Sequence, residues 1–449
     1  MKKLTRREFA VGCAAFATLR GWSGEDSGIR QYYHEYLRGI RKRVAAAAKG
    51  AAQSFWFVTD MHIPSNAKQS GCLLADLVRT TSVSRVVSGG DLCEAFGGKP
   101  SVDQTIAEWR DLWVRPIEAA GGELLVAKGN HDFTIKTSPQ VDDGFTCDGR
   151  EARQILMDTV ACHRVVTNEM DPEACYYYAD DARAKVRTIV ADTTDSIDPS
   201  KKFWAVRYGV GETQLRWLAE KAFSGIPDGW SLVVVHHIPI SRVVGNEELD
   251  ATFAPLRDLI EAYQNRERVV LFGRTYDFSY AKGRILLDLT GHCHTERSIY
   301  RRGILHVTQP CDAAYEDYKF ASLGGGGLPT KERGTVYEQT FDCVHLDPEH
   351  DQVRFTRFGG GSDRIYRLKP LRLLPGKKSD DRYDGIVDCD FAAVRHHPTR
   401  KYTELYDFRS TYSKIVDGRI LALKPGVSLA WRNRADGVRE YVPVEVYGK

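Results

Sequence analysis

The sequence predicts an α/β sandwich with a small β-rich C-terminal appendage. Three observations point there. Short β-branched runs each end in a polar cluster, helical patterns separate those runs, and after residue 371 Tyr, Val and Arg alternate between glycine turns. A strand, a polar tip and a helix, repeated, place the site where the strands end.

Taken in order, residues 29–48 carry Tyr33, Leu37, Ile40 and Val44 at helical spacing, which predicts an amphipathic helix leading into the core. Strand runs follow at 55–58 before Thr59-Asp60, at 83–87 before Gly89-Gly90-Asp91, and at 124–126 before Gly129-Asn130-His131-Asp132. The pattern recurs at 186–190 before Asp192, 232–235 before His236-His237, and 285–289 before Gly291-His292-Cys293-His294. Helices are expected over 102–120 and 212–218. Gly324 to Gly327 form a glycine run read as a loop, and 341–346 with 353–358 read as a β-hairpin. Tyr176-Tyr177-Tyr178 could stack on a base or sugar or lie in a buried strand. The expected organisation is an export signal over 1–24, a leading helix over 25–52, a catalytic domain over 53–370 and the appendage over 371–449.

Composition narrows the function. The chain has 449 residues, 63 Lys and Arg and 60 Asp and Glu; the first 50 hold 11 basic and 4 acidic groups, leaving 52 against 56 in the rest. That acidic excess argues against a nucleic-acid partner. The uncharged stretch 10–19 is half the roughly 20 residues of a membrane helix, so no transmembrane segment is expected. Ten cysteines without a C-x-x-C pair suggest buried thiols rather than a disulfide scaffold or zinc knuckle. Lys2 and Lys3, then Thr5-Arg6-Arg7-Glu8-Phe9 and a short apolar stretch, resemble a twin-arginine export signal, which implies a periplasmic or secreted bacterial protein.

The chemistry lies in five pieces: Asp60-x-His62, Gly90-Asp91, Gly129-Asn130-His131-Asp132, His236 and Gly291-His292-x-His294. Singly each is weak, since an Asp-x-His at a strand end is usually a hydrogen-bonded pair. Together they supply carboxylate, amide and imidazole donors suited to a pair of divalent first-row metals. Cys93 and Cys293 flank these positions and read as packing neighbours.

On these motifs the chain resembles the calcineurin-like metallophosphoesterases, over roughly residues 53–368. The resemblance implies a double β-sandwich flanked by helices, in four αββα layers, and a phosphomonoesterase or phosphodiesterase. It also implies two divalent ions, Mn2+, Fe2+, Zn2+ or Co2+. Asp60, His62 and His294 would hold the first ion, Asn130, His236 and His292 the second, with Asp91 bridging; of His236-His237, the family pattern favours the first. A metal-bridging hydroxide would attack phosphorus, with His131 as general acid. Glu94, three residues after Asp91, would orient His131. Purple acid phosphatases carry a Tyr there, and in phosphoprotein phosphatases an Arg follows the corresponding Asp; here Ala95 follows, so neither subgroup is matched. Arg242, Arg274 and Arg297 are candidate substrate contacts, and the segment 356–364, with its glycines, Asp and Arg, could frame a phosphate pocket. Alternatives are a nuclease of the same superfamily and a catalytically silent metal-binding scaffold.

Overall fold

The structure is a computed structural model that describes residues 28–63, 68–93, 98–132, 156–157, 159–160, 164–171, 173–197, 208–240, 247–294, 296–313, 332, 334–388 and 410–448. Its strands are, in chain order, β1 (Gln53–Val58), β2 (Arg85–Ser88), β3 (Glu123–Val126), β4 (Val165–Thr167), β5 (Tyr177–Asp181) and β6 (Val186–Val190). Next come the short pair β7 (Ser196–Ile197) and β8 (Tyr208–Gly209), then β9 (Ser231–Val235), β10 (Arg268–Leu271), β11 (Arg274–Asp277), β12 (Arg284–Thr290), β13 (Arg297–Arg301) and β14 (Ile304–Thr308). The last ten are β15 (Thr340–Asp347), β16 (Gln352–Gly359), β17 (Arg364–Arg367), β18 (Leu371–Leu373), β19 (Lys378–Arg382), β20 (Gly385–Asp388), β21 (Ser413–Val416), β22 (Arg419–Ala422), β23 (Gly426–Asn433) and β24 (Arg439–Val446).

Two large sheets face each other. One has the order β20-β23-β24-β17-β16-β15-β1-β2-β3, with β18 beside β24, and the other β13-β14-β12-β9-β6-β5-β4. Successive side chains of a strand point to opposite faces, so the register of β1, β15 and β16 puts Phe55, Phe57, Val344 and Phe355 on the inner face. Trp56, Phe341 and Phe358 lie on the outer face. The buried core runs from those inner residues to Tyr177, Val233, Val235, Leu287 and Val307 of the second sheet.

Helices cover both outer faces. The helix α1 (Tyr33–Ala48) buries Tyr33, Leu37, Ile40 and Val44, the four positions its periodicity singled out, and lays Tyr33 5.5 Å from the Phe358 ring. On the same sheet lie α2 (Lys68–Thr80), α3 (Gly98–Glu108) and α4 (Arg115–Ala119), the last two joined by the π-helical stretch Trp109–Val114. Beyond the second sheet, α5 (Glu212–Trp217) and α6 (Glu247–Asn265) pack Leu215, Phe253, Leu256 and Ile260 against Leu232, Val234, Ile285 and Ile304. The arrangement is a mixed α/β sandwich of helices, sheet, sheet and helices. No described helix is long and apolar enough to cross a membrane.

The chain after 371 has a small core of its own around Leu373, Tyr383, Ile386 and Val444, yet it does not form a separate sheet throughout. Strands β20, β23 and β24 continue the first sheet through the parallel pair β17–β24, while β19, β22 and β21 form a sheet of three. Tyr177 lies in β5, and Tyr176 and Tyr177 are fully buried, the stranded alternative for that triplet. The glycine run 324–327 and the export-signal residues 1–24 lie outside the described residues.

Candidate metal centre

Strands β1, β2, β3, β9 and β12 all deliver polar residues from their C-terminal ends to one place between the sheets. Backbone hydrogen bonds stitch the tips together: Asp60 N donates to Gly90 O at 2.9 Å, His62 N to Asp91 O at 3.0 Å, and Gly291 N to His237 O at 3.1 Å. The turns are tight enough to force unusual backbone. Asp60, His62, Asp91, His292 and His294 have φ of 54°, 46°, 51°, 68° and 53°, in the left-handed region that side chains other than glycine seldom adopt. Such conformations persist where surrounding contacts over-determine them, and they gather at functional sites. Two glycines make room. A Cβ on Gly129 would stand 2.1 Å from Asp91 Oδ1, and one on Gly291 would stand 2.0 Å from Thr59 Oγ1 and 2.4 Å from Asp60 Oδ2.

Among the described residues two ligand groups result, Asp60-His62-Asp91-His294 and Asp91-His237-His292, with donor atoms in each within 4.8 Å of one another. Asp91 belongs to both. Its Oδ2 lies 3.1 Å from His237 Nε2 and 3.8 Å from His62 Nε2, while its Oδ1 accepts the His131 backbone N–H at 2.8 Å. In the first group His62 Nε2 and His294 Nε2 approach to 3.2 Å, and His294 Nε2 lies 3.2 Å from Asp60 Oδ1. In the second, His292 Nδ1 and His237 Nε2 are 3.2 Å apart, and Asn130 Oδ1 is 3.1 Å from His237 Nε2. Donors each about 2.0–2.1 Å from a common ion stand roughly 3.0–3.5 Å apart. The convergence of imidazole nitrogens and carboxylate oxygens therefore fits divalent ions.

The electrostatics of this buried cluster ask for positive charge. Burial works to raise the Asp60 carboxyl, but the adjoining His294 holds it at about 2. Asp91 is likewise held well below the usual carboxylate range against its burial, by His237 and then His131. Burial disfavours charge on His237, yet the Asp91 carboxylate lifts it to about 9; burial and then the positive charge on His237 drive His292 far down. Asp132 turns away from the centre: its Oδ1 accepts Cys93 N–H at 2.8 Å and its Oδ2 accepts Gly129 N–H at 2.7 Å. Burial and the nearby Asp91 push its carboxyl up to about 7, and it serves as a brace for the loop.

The histidine that faces the cluster is His237, where the family pattern favoured His236. His236 points to the opposite face, where its Nε2 meets Asp288 Oδ1 at 2.7 Å and its Nδ1 meets Ile238 O at 2.9 Å. Asp288 also bonds His306 Nδ1 at 2.6 Å, so one buried carboxylate holds two imidazoles behind the site. Strand alternation carries the signal that sequence reading missed. Val233 and Val235 face the inter-sheet core, and two residues further on comes His237.

His131 is half-buried with its ring edge-on to His62, centroids 4.8 Å apart. Glu94 and Arg242 lie outside the described residues. Arg274 sits on the separate β10–β11 hairpin, 53% exposed and 3.8 Å from Glu220, and Arg297 opens β13 opposite Thr308; neither belongs to the ligand groups. Arg357 and Arg364 of the glycine-rich segment are buried in ion pairs instead of framing an open pocket. Cys93 is buried and Cys293 half-buried, neither is in a disulfide, and neither belongs to the ligand groups.

No family model matches the chain, and no curated protein matches it. Among solved structures it is similar to purple acid phosphatase PPD1 from yellow lupin, at 14% identity over 68% of this chain and 51% of that one, TM-score 0.38. A putative 5'-nucleotidase from Staphylococcus aureus is 13% identical over 71% of this chain and 54% of that one, TM-score 0.34. Phosphopantetheinyl hydrolase from Mycobacterium tuberculosis is 15% identical over 58% and 91%, TM-score 0.30. The chain spans about half the length of the first two.

Proposed function

We propose that this chain is a dinuclear-metal-dependent phosphoesterase of the calcineurin-like metallophosphoesterase superfamily, hydrolysing a small phosphomonoester or phosphodiester. The observation that supports this most is the single Asp91 carboxylate shared by two converging ligand groups. Asp60, His62 and His294 would hold one ion and Asn130, His237 and His292 the other, with Asp91 between them. When bound, two divalent ions such as Mn2+, Fe2+, Zn2+ or Co2+ supply an activated water and neutralise charge on the phosphoryl oxygens.

The remaining roles belong to the chain itself. Asp60 is fixed for ligation by the Thr59 hydroxyl at 2.7 Å and by the His292 N–H at 3.0 Å to each carboxylate oxygen. His131, tied through its backbone to Asp91, keeps an imidazole at the edge of the centre, placed to hold a proton for the leaving oxygen. Glu94, three residues beyond Asp91, is proposed to orient that ring, and Arg242 and Arg297 are proposed as contacts to substrate; Arg274, on its separate hairpin beside Glu220, is not.

The test is to strip the protein with chelator and assay release of phosphate or nitrophenol from mono- and diesters with each metal restored. Turnover undiminished by stripping would overturn the reading, and no turnover with any metal would favour a silent scaffold. Periplasmic export by the twin-arginine route is proposed from Arg6 and Arg7; exchange of both for Lys should leave the protein in the cytoplasm.

A further inference from the structure

Between the sheets, next to the centre, four charged side chains are buried together: Asp342 of β15, Arg357 of β16, Arg364 of β17 and Glu296, two residues beyond His294. Arg357 Nε donates to Asp342 Oδ1 at 2.9 Å and its Nη2 to Glu296 Oε2 at 2.7 Å. Arg364 Nη2 donates to Asp342 Oδ2 at 2.7 Å, and its Nε lies 3.0 Å from Glu296 Oε1. Two guanidiniums and two carboxylates balance, so no net charge is buried. Desolvating four charges is nevertheless expensive, and well-packed apolar residues would stabilise the fold as well or better. The quartet therefore calls for an explanation beyond stability.

Its contacts suggest one. Glu296 fixes the segment that carries His292 and His294. Arg357 Nη2 also reaches Gln309 Oε1 at 3.4 Å, at the start of the turn whose Asp312 and Ala313 N–H groups donate to Thr59 O at 2.9 Å and Asp60 O at 3.2 Å. One side of the first ligand group thus hangs from both arginines through Glu296, and the other from Arg357 through Gln309.

The arginines are held in turn from outside the sandwich. Arg43 of α1 pairs with Asp363 and donates to Arg357 O at 3.0 Å, Asp363 Oδ1 accepts Arg357 N–H at 2.9 Å, and Arg357 Nη1 donates to Gly360 O at 2.8 Å.

We infer that the Glu296–Arg357–Asp342–Arg364 quartet is a positioning device for the metal centre, fixing the His292–His294 segment against Asp60. It rests on the metal-binding reading above. Groups that orient ligands from behind typically change metal affinity by about 10–100-fold when replaced.

The experiment is calorimetric titration of Mn2+ into chelator-stripped full-length protein, comparing wild type with Glu296→Gln and with the double variant Glu296→Gln/Arg364→Gln. The double variant removes one charge of each sign and leaves the Arg357–Asp342 pair, so it avoids the unbalanced buried charge that the single one leaves. Melting temperatures of the stripped proteins are taken in parallel, and titrations are run well below them. At least one ion is expected to bind about 10–100-fold more weakly in the double variant. A merely structural quartet would lower the melting temperature and leave affinity alone. Two ions in wild type with unchanged affinity in the variant overturn this inference only; a wild type that takes up no ion overturns the reading of the site as well.

Discussion

His237 Nε2 lies 3.1 Å from Asp91 Oδ2, while its neighbour His236 is turned to the other face of the sheet and bonded to Asp288. Two adjacent imidazoles therefore do different work, one at the centre and one behind it. Replacing His237 with Ala should lose one equivalent of metal and most turnover. Replacing His236 with Ala should keep both ions and lower stability by about 1–3 kcal/mol, because Asp288 loses a buried partner. Metal analysis and urea denaturation of the two variants check this, and the reverse pattern would return the ligand role to His236.

His131 stands edge-on to His62 and donates its backbone N–H to Asp91 Oδ1. His131→Ala should leave two ions bound, slow alkyl esters by about 10²–10⁴-fold and spare nitrophenyl esters, whose leaving group needs no proton. Equal losses on both esters, at matched metal content, would remove it as the acid.

His345 gives a pH dependence remote from the centre. Burial, with Arg354 nearby, holds its imidazole at about 3, and its nitrogens meet Ser54 Oγ at 2.8 Å and Thr356 Oγ1 at 3.1 Å. The unfolded chain takes up this proton near pH 6.5 and the folded chain only near 3, so between those values the unfolded state binds more protons. Stability contributed by the neutral ring is complete above pH 6.5 and falls by up to roughly 1.4 kcal/mol per unit as pH drops below it. His345→Gln should flatten that part of the acid limb in denaturant melts from pH 7 to 4; an unchanged slope would contradict the assignment.

The strand runs, the leading helix and the hairpin 341–358 were legible because a single local period describes each. Asp60, His62, Asp91, Asn130, His292 and His294 were legible as a set because each follows such a run. What escaped is non-local. Choosing His237 over His236 requires knowing which face of β9 looks into the sandwich, and the partner of His236, Asp288, sits 52 residues away. The buried role of Arg357 and Arg364 depends on Asp342 and Glu296 from other strands, so a segment of glycines, Asp and Arg looks like a phosphate loop until its partners are in place. The joining of the C-terminal strands to the main sheet rests on one parallel pairing, β17 with β24, that no local pattern announces.

The central claim is that one carboxylate, Asp91, serves two ions at once. Count the ions bound per chain, by metal analysis after dialysis against Mn2+, in wild type and in Asp91→Asn, and measure ester turnover on the same samples. Wild type should hold two ions and turn over, and the variant should hold at most one and be inactive. Two ions and undiminished turnover in Asp91→Asn would contradict the account.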